Sequence, residues 1–202
     1  MLDCVIDKEF VDSLKLMMLS FYGCSCKSSF FNYDGSMSLE ELFSFIYSGA
    51  QKTIQDYCEE HKEKKLTQGD FPYVFCTTKH IDESHDNDGA ALRFGHVLSP
   101  IIITSTSPLA GIYKRGNNVV QVSGLFDPEG KIKENDIVLV HFSMVVMVID
   151  ENLARKILQK QSQDENFNQI LSQIKSIDYK KDLNDIYSWT KLTYNKYKNS
   201  RS

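Results

Sequence analysis

The stretch from Gly69 to Asp150 limits the fold most strongly, because it has little helical periodicity and many β-branched residues. We predict five strands there, at Tyr73–Thr78, Pro100–Thr106, Ile112–Lys114, Val119–Phe126 and Asp136–Ile149. Turn-forming sequences separate several of them, namely Ser107-Pro108, Gly116-Asn117-Asn118 and Asp127-Pro128-Glu129-Gly130. Connections this short favour antiparallel neighbours, since parallel strands need long crossovers.

The last of these strands is unusually long. We expect Asp136–Ile149 to bend or to carry a bulge, as strands do when they close a barrel. The block therefore predicts a five-strand antiparallel sheet, with a small, partly open barrel of OB type as the alternative.

Helical patterns lie on both sides of this block. Apolar residues recur at helical spacing from Asp7 to about Tyr22, and Ser38 with Glu41 forms a capping-box pattern. The apolar stripe behind that box predicts one continuous helix from Leu39 to Cys58. Helical stripes return after Asp150, so the predicted class is α+β: N-terminal helices, a central β-rich core and C-terminal helices. We expect one domain over residues 1–202, with parts at 1–68, 69–150 and 151–202.

Composition and charge indicate the cellular compartment of the protein. The 202 residues carry a formal net charge of −4, which argues against indiscriminate binding of polyanions. The N-terminus is acidic where a secretory signal is basic, and the longest apolar run, Ile137–Ile149, is too short to span a bilayer. Five scattered cysteines do not resemble a disulfide framework. We therefore expect an intracellular protein, cytoplasmic or nuclear, without membrane insertion.

Residues 30–43 resemble the loop and exiting helix of an EF-hand. Oxygen-bearing side chains and a glycine fall at the loop positions that bind calcium, namely Asn32, Asp34, Gly35, Ser36, Ser38 and Glu41. The first loop position, normally Asp, is Phe30, and no second loop is present. A turn at Asp34-Gly35 followed by a capped helix explains the same residues.

Two further groups have metal-ligating side chains. The segment His80–Gly89 contains two histidines and four carboxylates, and it equally fits a solvated loop between strands. Cys24, Cys26, Cys58 and His61 could bind zinc, but a continuous helix ending at Cys58 would span about 30 Å and separate the first two from the others. We predict no metal and no cofactor.

A thiol hydrolase or transferase is the enzymatic alternative. It would use Cys24 as nucleophile, with Cys26 or Cys76 as substitutes, and His141 as general base. Asp150 or Asp136 would orient the histidine. The common nucleotide-binding, kinase and hydrolase motifs are missing from the sequence.

The C-terminal stretch interleaves basic and aromatic residues. The candidate partner-binding side chains there are Tyr187, Trp189, Lys191, Tyr194, Lys196 and Tyr197. Aromatic residues are frequent interface anchors, and lysines between rings suit single-stranded nucleic acid. We predict a non-enzymatic interaction module that binds a macromolecular partner, a protein in the leading hypothesis, through its β-rich core and this stretch. An OB-like subunit that binds single-stranded nucleic acid is the alternative.

Overall fold

A computed structural model describes residues 4–19, 26–46, 48–77, 98–115, 118–165, 167–168, 191–192 and 194–195. Within these residues the protein combines helices, a three-stranded sheet and a five-stranded antiparallel sheet. The predicted α+β class is therefore confirmed. Among the described helices none is both long enough and apolar enough to cross a bilayer.

The first helix, α1 (Lys8–Leu19), follows a short strand, β1 (Val5–Ile6). Its buried face is the predicted apolar stripe: Phe10, Val11, Leu14, Met17 and Met18. Asp7 caps its start, because the Asp7 carboxylate accepts a hydrogen bond from Phe10 N at 3.0 Å. Helix α1 packs against the last strand of the large sheet, which joins the N-terminal part to the β-rich core.

The small sheet has strand β1 at its centre. It pairs antiparallel with β2 (Met37–Ser38) and parallel with β3 (Lys65–Leu66). Strands of two residues are too short to show an alternating pattern, and their pairing partners are distant in sequence. The sequence therefore does not predict them.

The predicted continuous helix from Leu39 to Cys58 is wrong. The chain forms α2 (Leu39–Phe45) and α3 (Ser48–His61), with Ile46 extended at φ −103° and ψ 154° between them. Ile46 forms a β-bridge with Cys26, and Gln51 Nε2 donates hydrogen bonds to the carbonyls of Phe43 and Ile46. These distant contacts stabilise a break that the apolar stripe does not reveal.

The predicted strand Tyr73–Thr78 is also wrong, over its described residues 73–77. Residues Phe71–Phe75 form a short helix, α4, with Pro72 in its first turn. Phe71 packs edge-on against Phe10, with ring centroids 5.2 Å apart, and lies 4.8 Å from the Phe75 ring. In a helix, residues four positions apart lie one turn apart on the same side, so both phenylalanines reach the α1 core, whereas in a strand they would lie about 13 Å apart along one face.

The large sheet contains five antiparallel strands in the order β6-β5-β4-β7-β8. The strands are β4 (Ser99–Thr106), β5 (Leu109–Arg115), β6 (Asn118–Ser123), β7 (Ile137–His141) and β8 (Met144–Ile149). The prediction of one long strand over Asp136–Ile149 is wrong, because Phe142 adopts φ 54° in a tight turn and the run becomes a hairpin. A bulge does occur between Leu139 and Val140. The hairpin supplies two strands where one was predicted, and so compensates for the predicted strand that is instead helix α4.

The described strands do not form a closed barrel. The chain that leaves β6 does cross to the other edge of the sheet, where Phe126 bridges Met144 in parallel. Phe126 N donates to Ser143 O at 2.7 Å and Val145 N donates to Phe126 O at 2.9 Å. The sheet is therefore curled, and the start of its β8 edge is covered.

Both faces of the sheet are covered by apolar side chains. One face joins the N-terminal helices through Leu139, Met144, Val146 and Ile149. The other face forms a second cluster that includes Ile101, Ile103, Tyr113, Val138, Val140 and Phe167. Helix α5 (Glu151–Gln163) follows β8 directly, and its stripe residues Ala154 and Ile157 are buried as predicted.

Candidate functional site

His141 lies at the end of β7 and is completely buried, with 0% of its surface exposed. Its ring meets the Phe142 ring edge-on at 4.9 Å. A general base must reach the proton that it removes from a substrate. The position of His141 is that of a core histidine at a hairpin turn, and its catalytic role stays a prediction.

The described candidate thiols have raised pKa values. Burial raises the pKa of Cys26 to about 12, and complete burial raises the pKa of the Cys76 thiol as well. A nucleophilic cysteine needs a lowered pKa, because the thiolate is the reactive form. Cys24 lies outside the described residues.

The two candidate orienting carboxylates cap local backbone. Asp150 accepts a hydrogen bond from Leu153 N at 2.8 Å and is the N-cap of α5. Asp136 accepts from Lys133 N at 2.8 Å in the turn before β7. Each carboxylate therefore has a local structural contact that explains its presence.

Three side chains of the EF-hand-like segment, Asp34, Ser38 and Glu41, form contacts within the protein. Asp34 binds Lys8 Nζ at 2.5 Å, and this bond is the main reason that the Lys8 pKa is raised. Glu41 and Ser38 form the predicted capping box, and the hydrogen bonds from Ser38 lower the Glu41 pKa. Gly35 has φ 143°, a conformation that favours glycine. The turn and the capped helix are thus observed directly.

The described members of the proposed zinc set contact other partners. Cys58 Sγ lies 3.6 Å from Cys4 Sγ, and His61 Nδ1 lies 3.0 Å from the Tyr57 carbonyl oxygen. No cluster of three metal-ligating side chains occurs among the described residues. Cys24 and the whole His80–Gly89 segment lie outside them.

Of the C-terminal candidates, the structure describes Lys191 and Tyr194. The Tyr194 ring meets Phe126 edge-on at 5.4 Å and is partly buried. Burial, followed by the charges of Glu129 and Asp127, raises the Tyr194 pKa. Tyr194 therefore packs on its own chain beside an acidic loop, while Lys191 is exposed. Tyr187, Trp189, Lys196 and Tyr197 lie outside the described residues.

A groove of about 450 Å³ lies between α1, strand β8 and the loop 127–132; we call it the α1–β8 groove. Its apolar lining comes from Leu16, Pro128, Ile132 and the β8 residues Val145 to Val148. Its acidic side chains are Glu9, Asp12, Asp127 and Glu129. An apolar floor with charged sides can hold a chain segment that alternates apolar and charged residues.

Asp127 shapes the loop that forms one side of the groove. Its two carboxylate oxygens accept hydrogen bonds from Glu129 N at 2.9 Å and Ile132 N at 2.8 Å. Gly130 supplies the left-handed conformation that the turn needs, with φ 66°. The Asp-Pro-Glu-Gly sequence predicted this turn, but not its position opposite α1.

The groove is acidic even after its internal ion pairs are considered. Lys131 is the one basic side chain in the described lining, and it binds Glu129 at 2.9 Å. Asp12 binds the buried Lys15 at 3.2 Å and Lys8 at 2.9 Å. Glu9 is exposed in the first turn of α1. The surface therefore presents carboxylates to anything that enters the groove.

The groove follows a sheet edge. Strand β8 pairs with β7 on one side, and Phe126 covers the other side only at Met144 and Val145. No other described strand pairs there, and Val148 is 53% exposed. A sequence pattern identifies a strand but not its place in the sheet, so the sequence missed these residues.

Searches for related proteins, against protein-family models, curated proteins and solved structures, found no match to this chain.

Proposed function

We propose that this protein is a binding module that holds an extended, basic segment of a protein partner along the α1–β8 groove. The observation that carries the proposal is the edge strand β8, whose exposed Val148 lies in a groove with carboxylates on both sides. The proposal keeps the predicted class of function, an interaction module, and narrows its surface from the β-rich core and the C-terminal stretch to the β8 edge of that core.

Strand addition supplies the affinity in this mode of recognition. An extended peptide that joins a sheet edge gains main-chain hydrogen bonds, and alternate side chains point into the neighbouring surface. Here one side of the peptide would meet the apolar residues Val146, Val148 and Leu16. Because a sheet edge without a partner also invites aggregation, a docked segment would protect it.

Charge complementarity supplies the selectivity. Glu9 on α1 and Glu129 in the loop lie on opposite sides of the groove, so lysines or arginines of the partner would meet carboxylates. Phosphates would be repelled by the same groups, which disfavours the nucleic-acid alternative at this surface. Salt should weaken the binding, since exposed charges are screened over about 10 Å at moderate ionic strength.

We also propose that the protein is intracellular. Four described cysteines are free thiols, including Cys4 and Cys58, whose sulfurs share an S–H···S hydrogen bond and no disulfide. Free thiols support an intracellular, reducing environment, in which extended basic segments of other proteins are available partners.

The direct test is titration of the full-length protein with a short, fluorescein-labelled peptide of alternating lysine and valine. Fluorescence anisotropy should show saturable binding in the micromolar range that weakens as salt is added. A glutamate–valine peptide and single-stranded oligothymidine serve as probes of the opposite charge. Stronger binding of either one than of the lysine–valine peptide would contradict the proposal.

A pair of valine variants locates the binding surface. Val148 and Val119 are similarly exposed, at 53% and 54%, but they lie on opposite edges of the sheet. Val148→Lys should weaken peptide binding about tenfold, a loss of about 1.4 kcal/mol, because it places a cation at the groove. Val119→Lys is the matched control and should leave binding unchanged; equal effects of the two variants would refute the β8 edge as the site.

A second pair tests the carboxylates. Glu9→Gln removes one charge from the groove, and Glu134→Gln removes one exposed charge from the turn before β7, outside it. The first should weaken binding by about threefold and reduce its salt dependence, as expected for one partly screened charge pair. If both variants act alike, general electrostatic attraction rather than the groove would explain the binding.

A further inference from the structure

The described part of the C-terminal stretch lies beside the loop 127–132, which forms one side of the α1–β8 groove. The Tyr194 ring meets Phe126 edge-on at 5.4 Å, and Phe126 comes directly before this loop. After burial, the charges of Glu129 and Asp127 raise the Tyr194 pKa, so its hydroxyl lies near both carboxylates. Both carboxylates also line the groove, and Tyr194 therefore holds the chain next to it.

Lys191 gives a second, independent indication of this position. It lines a cleft of about 770 Å³ together with Asp127, Gly130 and Ile132. Asp127 and Ile132 line the α1–β8 groove as well, so the loop is the wall between the cleft and the groove. Lys191 and Tyr194 are thus both beside the same wall, and the residues that follow Tyr194 start there.

Those following residues have the composition that we propose for a partner of the groove. Residues 196–202 lie outside the described part of the chain, and their sequence is Lys-Tyr-Lys-Asn-Ser-Arg-Ser. They carry three cations and no carboxylate side chain. Tyr197 stands between Lys196 and Lys198, so an aromatic side chain alternates with charged ones.

The groove carries charge of the opposite sign. Glu9, Asp12, Asp127 and Glu129 line it, and Lys131, the one basic side chain in the described lining, binds Glu129. Complementary charge of this kind favours a basic segment over an acidic or neutral one.

The segment is long enough to occupy the groove. The α1 side of the groove runs from Glu9 to Leu16, which is about 10 Å of helix. Residues 196–201, when extended, span about 20 Å. Because Tyr194 lies beside the groove, the segment can follow α1 without any change in the described fold.

A segment attached to the same chain needs little affinity of its own. A short tether gives a local concentration of about 1 mM, so a segment with a dissociation constant of about 0.3 mM fills its site for most of the time. A better-matched partner can still displace a segment that binds so weakly.

We propose that residues 196–201 bind in the α1–β8 groove of the same chain, as an autoinhibitory segment that a basic peptide of a partner displaces. Tyr194 holds the segment at the groove, and Lys196, Lys198 and Arg201 supply the cations that meet its carboxylates. The inference rests on the proposed function, because it gives the same groove a competitor within the chain.

Zero-length cross-linking of the full-length protein tests the contact without any partner. A carbodiimide joins a carboxylate to a lysine amine only where the two groups meet, and mass spectrometry of the digested monomer identifies the pairs. We expect Lys196 or Lys198 to be joined to Glu9 or Glu129, and not to Glu134, an exposed glutamate outside the groove. Equal cross-linking to Glu134, or no cross-link to Glu9 or Glu129, would overturn the proposal. Cross-links confined to a dimer would assign the groove to a second copy and overturn it as well.

Deletion of residues 196–202 tests the competition. The deletion removes none of the described residues, and circular dichroism checks that the shortened protein is folded. It should tighten binding of the lysine–valine peptide by about threefold to tenfold, as expected for a groove that is open for about a third to a tenth of the time. If the shortened and full-length proteins bind the peptide with equal affinity, the segment is not autoinhibitory.

A pair of double variants separates occupancy of the groove from net charge. Lys196→Gln with Lys198→Gln removes two of the segment's cations and should reproduce most of the gain in peptide affinity. Lys62→Gln with Lys156→Gln is the matched control, because it removes the same charge from two exposed lysines outside the groove. Equal gains from the two double variants would show that net charge causes the effect, and would refute the competition.

The inference and the proposed function fail on different results. If the cross-links form but neither the full-length nor the shortened protein binds the lysine–valine peptide, the contact within the chain stands and the proposed function fails. If both proteins bind the peptide equally and no cross-link to Glu9 or Glu129 forms, the proposed function stands and the inference fails.

Discussion

The sulfur atoms of Cys4 and Cys58 lie 3.6 Å apart in the core, where the residue before β1 meets α3. Both side chains are almost completely buried, and burial raises the pKa of each thiol, to about 12 for Cys58. The contact ties the start of the chain to a helix 54 residues later. Cys58 Sγ donates a weak S–H···S hydrogen bond to Cys4 Sγ, and both neutral thiols are packed in the apolar core.

Thiol modification should follow burial. We expect iodoacetamide to alkylate Cys26, which is partly exposed, before Cys4, Cys58 and Cys76, and all four more slowly than free glutathione at the same pH. Mass spectrometry of the digested protein after timed labelling measures each site. Faster labelling of Cys26 or Cys76 than of glutathione would instead support the thiol-hydrolase alternative.

Stability should fall in alkaline solution. The folded-state pKa values of Cys26 and Cys58 are about 12, above the ordinary value of 9.0, so the folded protein keeps these protons after the unfolded chain has lost them. Their contribution is complete below pH 9.0 and is lost as the pH rises towards about 12. Urea unfolding at several pH values measures the decline, and Cys26→Ser should make it shallower. A slope that Cys26→Ser leaves unchanged would show that other groups cause it.

At Gly111 the backbone of β5 leaves no room for a side chain beside β4. A Cβ atom there would lie 2.5 Å from Ile101 Cγ2 and 2.7 Å from the Ile102 carbonyl oxygen. Gly111→Ala should therefore destabilise the protein by about 1–3 kcal/mol, as overpacked cores do. Gly69→Ala is the matched control, since its nearest neighbour is Thr67 Oγ1 at an ordinary 3.6 Å. Chemical denaturation compares them, and equal midpoints would contradict the predicted clash.

The capping box at the start of α2 should contribute measurable stability. Ser38 Oγ accepts a hydrogen bond from Glu41 N at 3.1 Å, and Glu41 Oε2 accepts one from Ser38 N at 2.7 Å. Ser38→Ala removes the first bond and should cost about 1 kcal/mol. Ser36→Ala, at an exposed serine two residues earlier, should cost almost nothing. Thermal unfolding of the two variants distinguishes a cap from a general loss of a serine hydroxyl.

The local features of this protein were predictable. The buried stripe of α1, the capping box at Ser38 and the turn at Asp127–Gly130 each depend on residues a few positions apart. Such interactions form within one helical turn or one loop, so their pattern is visible in the sequence. The sequence likewise predicted an antiparallel β block between helices, because short turns and β-branched runs leave few other arrangements.

The tertiary structure decided the features that depend on distant partners. The apolar stripe continues through Ile46, yet a bridge to Cys26 and the Gln51 side chain break the helix there. Phe71 and Phe75 form a helix because Phe10 lies beside them in the fold. The place of β8 at a sheet edge, and the positions of Glu9 and Glu129 on the two sides of the groove beside it, likewise follow from pairing and packing between segments far apart in sequence. Periodicity and capping act over three or four residues, so they indicate elements such as α1, but they reveal neither the helix break at Ile46 nor which surfaces the elements bring together.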